Sequence, residues 1–358
     1  MAQISTPQPS TARALDAAAP LREAVRVPST DLAAATDLLR GATDVTLLAH
    51  VTPDADALGS ALALGLVLHR RGAAVRVSFG APDETPESLR WLDSAGLVVP
   101  ADAVPPAADL LVTVDCSSVD RLGRLGGLVE ATVAGGGAVL VVDHHASNTR
   151  FGTHHVVDDG AEATTVLVAA LLDELGIPLD ADLARCLYAG LVTDTGSFQR
   201  ARPATHALAA RLIEAGADPA VAARELFGNH PFAFLRMLGA VLGRAELEPD
   251  AAGGLGLVHT AVRLDDQAGV RVEEVESVVD IVRTTAEAEV AAVLKQAGPD
   301  TWIGSLRAAG TVDVRAVAAR FGGGGHRLAA GFTAHGELPE VLDRLRDALR
   351  IPVTPASG

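Results

Sequence analysis

Over residues 31–244, short apolar runs rich in β-branched residues alternate with longer stretches of helical periodicity, and this narrows the fold more than any other feature. Runs at 45–49, 74–79, 110–114 and 138–142 have the length and residue types of buried strands, while 57–71 and 162–175 repeat like helices and 181–244 forms a longer helical block. Continuous apolar strands separated by helices read as βαβ units, whose strands lie parallel because each helix must cross back over the sheet. The expectation for 31–245 is an α/β domain built on a mainly parallel sheet.

The segment 246–256, ELEPDAAGGLG, clusters charges, proline and glycines and reads as a linker or turn. A smaller α/β domain is expected over 246–351, with strands at 257–262, 289–295 and 302–306 and helices at 273–284, 313–320 and 339–350. At 358 residues the chain is long enough for two such cores, and two domains imply a cleft in which an active site would lie. Residues 1–30, rich in Ala, Pro, Ser and Thr and without a secretory apolar core, read as a mobile tail, as do 352–358.

Composition removes several function classes. A net charge of −16 opposes binding of long nucleic acid, which draws its affinity from many Lys and Arg contacts, so an anionic substrate must be short. Apolar residues make up 49% of the chain, yet no run reaches the roughly 18 residues that cross a bilayer, and no membrane is expected. The two cysteines, Cys116 and Cys186, stand far apart, which fits a reducing cytoplasm and offers no thiolate zinc site.

Carboxylates and histidines sit where strands end. LLAHVTPDADALGS places His50, Asp54 and Asp56 in one strand-to-helix loop; LLVTVDCSS ends on Asp115; VLVVDHHASN carries Asp143, His144 and His145; and GLVTDTGSF closes a helical run at Asp194. Taken singly, an Asp after a strand is more often a helix cap or turn former. The repetition, with an uninterrupted Asp-His-His, is what packing alone does not explain. Buried together, such carboxylates repel one another unless a cation neutralises them. Four Asp and two His suffice for two divalent ions, and oxygen and imidazole donors without thiolate favour Mn²⁺, with Mg²⁺ or Co²⁺ also accommodated. Paired ions recur in phosphatases and nucleases, so phosphoester hydrolysis is the leading reaction class.

On these motifs, and on SLRAAGTVDVRAVAARFGGGGHRLAAG further along, the chain resembles the DHH phosphoesterases, specifically the branch of nanoRNases that also act on 3′-phosphoadenosine 5′-phosphate, over about 36–350. The resemblance implies that His50, Asp54 and Asp115 hold one ion and that Asp56, Asp115, His144 and Asp194 hold the other, with Asp115 bridging. It implies that Asp143 orients a histidine and that His145 faces the scissile phosphate, as a proton donor or a stabiliser of phosphoryl charge. It assigns Arg121, Arg307, the glycines Gly323, Gly324 and Gly325, and His326 to the substrate. Glycine backbone can converge N–H groups on an anion, and a hinge is the plain alternative. Ala55, Ala308 and Gln296 depart from the family pattern and bear on substrate preference alone.

Short RNA and small nucleotides are the implied substrates. Cyclic di-AMP or a linear dinucleotide is the alternative substrate, and a nucleotide sensor without turnover is the alternative from another class, disfavoured by the full hydrolytic set. Acidity opposes a RecJ-type exonuclease, and the GGGGH run opposes a family II pyrophosphatase. A homodimer stays open.

Overall fold

The computed structural model describes residues 25–350, and the chain divides into two compact units, the first closing at Asn229 and the second opening at His230. The first unit carries α1 (Ser29–Gly41), β1 (Asp44–Ala49), α2 (Ala55–Arg70), β2 (Ala74–Phe79), β3 (Leu110–Val114), α3 (Gly127–Ala134), β4 (Ala138–Asp143), β5 (His154–Val157), α4 (Thr164–Glu174), α5 (Ala181–Asp194), α6 (Pro203–Glu214) and α7 (Pro219–Ala223). Its sheet has five strands in the order β2-β1-β3-β4-β5, every neighbouring pair parallel, as the alternation requires. Buried aliphatic residues of α2, α4 and α5, among them Leu58, Leu62, Leu167, Leu171 and Leu187, cover one face together with Val45, Leu47, Val112 and Val142 of the strands. Leu48, Leu111 and Val139 point to the other face, against Leu122, Leu125 and Leu128.

Two glycines let α5 lie unusually close to its neighbours. A Cβ on Gly59 would stand 2.4 Å from the Cys186 carbonyl oxygen, and one on Gly190 would stand 2.7 Å from Asp56 Oδ1 and 2.6 Å from Thr165 Cγ2. Neither position admits a side chain without separating the helices.

The second unit carries α8 (Phe232–Leu242), β6 (Glu246–Glu248), a one-turn segment α9 (Ala251–Gly254), β7 (Leu257–Val262), α10 (Val272–Val282), β8 (Val290–Gly298), β9 (Thr301–Ala308), α11 (Val314–Ala319), β10 (Gly324–His326), β11 (Ala329–His335) and α12 (Leu338–Ala348). Its six strands run β10-β11-β9-β8-β7-β6, with only β7 and β8 parallel. The expected linker at 246–256 is instead the edge strand β6 and the turn after it. The units part upstream of that, because α8 buries Phe234, Met237 and Val241 against Val258, Val262, Val275 and Val278. Each such side chain removed from water is worth roughly 1.5–3 kcal/mol, which assigns α8 to the second core.

Of the expected N-terminal tail, 1–24 lies outside the described residues. Val25 and Val27 pack into the first core and Ser29 already begins α1, so 25–30 is structured. The expected tail at 352–358 also lies outside the described residues.

Candidate active site

The chain steps from β1 outward to β2 and then back across to β3, so the direction of strand addition reverses between β1 and β3. Open parallel sheets bind ligands at the carboxyl ends of the strands flanking such a reversal. His50 directly follows β1, Asp115 directly follows β3, and β4 ends on Asp143 with His144 and His145 next. Asp54 caps α2, its Oδ1 accepting the N–H of Asp56 at 3.0 Å and of Ala57 at 2.9 Å, and Asp194 closes α5. Asp115 takes a left-handed backbone, φ 55°, as does Thr52 at φ 54° between His50 and Asp54. Non-glycine residues in that region are uncommon and gather where geometry serves chemistry.

The six residues expected to hold metal come together. Ligand atoms of His50, Asp54 and Asp115 lie within 4.8 Å of one another, as do those of Asp56, His144 and Asp194, and those of Asp115, His144 and His145. Asp115 spans the groups: its Oδ2 is 3.5 Å from His50 Nε2, and its Oδ1 is 3.4 Å from His144 Nε2. His144 Nε2 also stands 3.1 Å from Asp194 Oδ2, and His50 Nε2 stands 3.7 Å from Asp54 Oδ2. Both imidazoles are aimed by their other nitrogen. His50 Nδ1 donates to the Val51 carbonyl at 2.8 Å and His144 Nδ1 to the Ala161 carbonyl at 3.2 Å, which turns each Nε2 toward the carboxylates.

His145 is oriented differently. Its Nδ1 donates to Asp143 Oδ1 at 2.7 Å, while Asn148 Nδ2 donates to Asp143 Oδ2 at 2.6 Å and fixes that carboxylate in turn. Asp143 is fully buried, and its bond lifts the His145 pKa above its ordinary value.

Three residues outside the expected set belong to the site. Thr164 Oγ1 donates to Asp115 Oδ1 at 2.8 Å, and the N–H groups of Thr164 and Thr165 donate to Asp56 Oδ2 at 2.6 Å and Oδ1 at 2.9 Å. Asn148 completes the chain to His145. Asn148 sits inside a motif legible in sequence, whereas nothing local marks the two threonines.

Arg121 is exposed, and its carbonyl accepts the Val51 N–H at 2.8 Å, which fastens its turn beside His50. In the second unit, strand register puts His326, Ala329 and Arg307 in one row, so His326 and Arg307 emerge on the same sheet face with one strand between them. Packing accounts for part of the glycine run. Gly322 and Gly323 N–H donate to the Ala319 and Ala318 carbonyls, both at 3.0 Å, and close α11. A Cβ on Gly323 would meet the Gly331 carbonyl oxygen at 2.2 Å, and Gly325, at φ 140°, would meet that of Ala329 at 2.6 Å. Close strand packing demands glycine at both positions.

Charge supplies the test of whether divalent ions suit the first unit's cluster. Burial, with repulsion from Asp194 and Asp115, pushes the Asp56 pKa well above the carboxylate range, and burial also raises Asp194 despite its bond to His144. Burial works against a charged imidazole, yet bonds to Asp115 and Asp54 lift His50 to about 10, and Asp194, Asp56 and Asp115 do the same for His144. Arg200 donates to the backbone carbonyl of Asp194, whose carboxylate faces His144. Oxygen and imidazole donors with surplus negative charge fit hard or borderline divalent ions.

A metal must then displace the protons on His50 and His144. Because both folded-state pKa values are raised, those protons are held through neutral pH and released only toward about 10, so metal affinity should climb with pH, by up to about tenfold per unit for each proton released. Titration calorimetry with Mn²⁺ in buffers of different ionisation enthalpy reads the proton count directly. An affinity flat from about pH 6 to 8 would contradict this account of the imidazoles.

Residues 44–191 match the DHH family N-terminal domain, and 254–350 match the DHHA1 domain. The chain is 32% identical to "Bifunctional oligoribonuclease and PAP phosphatase NrnA" of Thermus thermophilus over 316 residues, 87% of this chain and 91% of that one. It is 25% identical to "Cyclic-di-AMP phosphodiesterase GdpP" of Geobacillus thermodenitrificans over 87% of this chain but 48% of that longer protein. A solved exopolyphosphatase-related protein from Bacteroides fragilis shares the fold, with a TM-score of 0.83 at 22% identity over 90% of this chain and 96% of that one. With both domains matched in order and a relative aligned along nearly its whole length, the chain belongs to the DHH phosphoesterase family.

Proposed function

We propose that the protein hydrolyses short oligoribonucleotides to mononucleotides and 3′-phosphoadenosine 5′-phosphate to AMP, using two divalent ions with Mn²⁺ preferred. The observation that carries this reading is the set of three overlapping Asp and His groups sharing Asp115 and His144 at the carboxyl edge of the sheet. In the proposal His50, Asp54 and Asp115 hold one ion, and Asp56, Asp115, His144 and Asp194 hold the other. Bound there, the ions supply an activated water and neutralise charge on the phosphoryl oxygens. His145, with Nδ1–H fixed on Asp143, presents Nε2 as the proton donor to the leaving oxygen or as a cation against the phosphate. The bond to Asp143 raises its pKa and so favours the protonated imidazole. Arg121, Arg307 and His326 grip the substrate's phosphates. Similarity to a NrnA protein favours short RNA, and similarity to a cyclic-di-AMP phosphodiesterase supports cyclic or linear dinucleotides as the second reading.

A turnover panel with Mn²⁺ tests this, comparing RNAs of two to five nucleotides, an RNA of about twenty-four, 3′-phosphoadenosine 5′-phosphate and cyclic di-AMP. The short RNAs should be cut far faster than the long one, with little dependence on salt, because a net charge of −16 opposes the many Lys and Arg contacts from which long nucleic acid draws its affinity. Equal rates on long and short RNA with steep salt dependence would sink the short-substrate reading. Turnover of cyclic di-AMP alone would replace it with the second.

A further inference from the structure

We propose that Thr164 is a positioning residue for the metal centre and that its hydroxyl acts on one ion site of the pair and leaves the other alone. The inference rests on the two-ion reading above. Its starting point is an asymmetry in Asp115, whose Oδ2 turns toward His50 and whose Oδ1 turns toward His144. Only Oδ1 takes the Thr164 hydroxyl, at 2.8 Å, with Thr164 wholly buried and Asp115 nearly so. A hydrogen bond to one oxygen of a buried carboxylate fixes the plane of the group, and so decides which oxygen faces which cluster.

The same helix turn holds a second carboxylate on the same side. Helix α4 follows Ala163 and has no side-chain cap, so its first N–H groups would be orphaned. Asp56, 108 residues earlier in the chain, takes them on both its oxygens. Asp56 and Asp115 Oδ1 both belong with His144 and Asp194, and thus the start of α4 scaffolds that site. The His50 site has a separate support. There Asp54 is pinned by the N–H groups of its own helix, α2, and His50 by the Val51 carbonyl. The two sites share Asp115 and helix α2, which carries Asp54 at its cap and Asp56 in its first turn, but only the second is tied to the start of α4, and Thr164 is the side chain that ties the shared ligand to it.

Calorimetric titration of metal-free protein with Mn²⁺, on wild type, Thr164→Ala and Thr164→Ser, tests this directly. Alanine and serine differ here by the hydroxyl alone. Alanine should weaken one binding step by about tenfold and leave the other within about twofold, while serine keeps both near wild type. Asp54→Asn should weaken the other step. Thermal melting without metal checks the fold, and Thr164→Val, which preserves volume, replaces alanine should alanine unfold the protein. The proposal is overturned if both steps weaken together, if neither changes, if serine loses as much as alanine, or if Thr164→Ala and Asp54→Asn act on the same step. A wild type that binds a single ion would overturn the two-ion reading itself, and this inference with it.

Discussion

Asp115→Ala should lower turnover on every phosphoester substrate by about a thousandfold or more. A carboxylate lying between two cations screens their mutual repulsion and sets their spacing, and metal stabilisation of developing charge is worth several kcal/mol; a loss of about 4 kcal/mol is about three powers of ten in rate. Alanine also fits poorly at φ 55°, where aspartate and asparagine are better tolerated. Asp115→Asn therefore belongs beside it. Asparagine keeps the backbone conformation and one oxygen to accept the Thr164 hydroxyl, while it removes the charge and replaces the second oxygen with an amide NH₂. Both variants should lose activity, and calorimetry should count fewer than two tightly bound Mn²⁺ ions. Melting in chelator should fall as well: without metal, Asp115 helps to hold the protons on His50 and His144, so Asp115→Asn removes that attraction and should melt below the wild-type temperature at neutral pH. Near-normal turnover with two bound ions in either variant would show that Asp115 does not bridge.

His326→Ala should cost about ten- to a hundredfold in kcat/KM on dinucleotides and on 3′-phosphoadenosine 5′-phosphate. His326 is exposed at the end of β10, in one row with Arg307, and the second unit offers none of the clustered Asp and His groups found in the first among the described residues. A charge-assisted hydrogen bond to a nucleotide phosphate contributes roughly 1.5–3 kcal/mol, which converts to that range. A small aryl phosphodiester that needs only the metal centre should be cut almost as fast by the variant as by wild type. Equal losses on both substrate types would place His326 in the chemical step or in the stability of the fold, and would end the division of labour between capture and chemistry.

What could be read from sequence follows the range of the interactions involved. β1 to β4 declare themselves as apolar runs, and the residues just beyond β1, β3 and β4 mark the site, because a strand's carboxyl end and its next residue are neighbours in the chain. β5 is four residues long and begins with two histidines, too little for a strand pattern. The roles of Thr164 and Thr165 depend on partners 49 and more than 100 residues away, which no window contains. The boundary at 229/230 was hidden for a related reason, since α8 continues the helical periodicity before it while packing on strands that come after it. The GGGGH run stands out in sequence, but its composition cannot tell glycine required for close strand packing from glycine presenting N–H groups to an anion.

The absent side chains at Gly59 and Gly190 act as a ruler. Asp56 sits in the first turn of α2 and Asp194 at the last residue of α5, so the gap these carboxylates leave for an ion is fixed by how near the two helices come. Ions that prefer oxygens at about 2.0–2.1 Å and ions that prefer 2.3–2.6 Å present nearly the same charge to a ligand. Here the size of the opening is written at positions that carry no donor atom, and one methyl group added at Gly190 would reset it by pressing on Asp56, with every ligand keeping its identity.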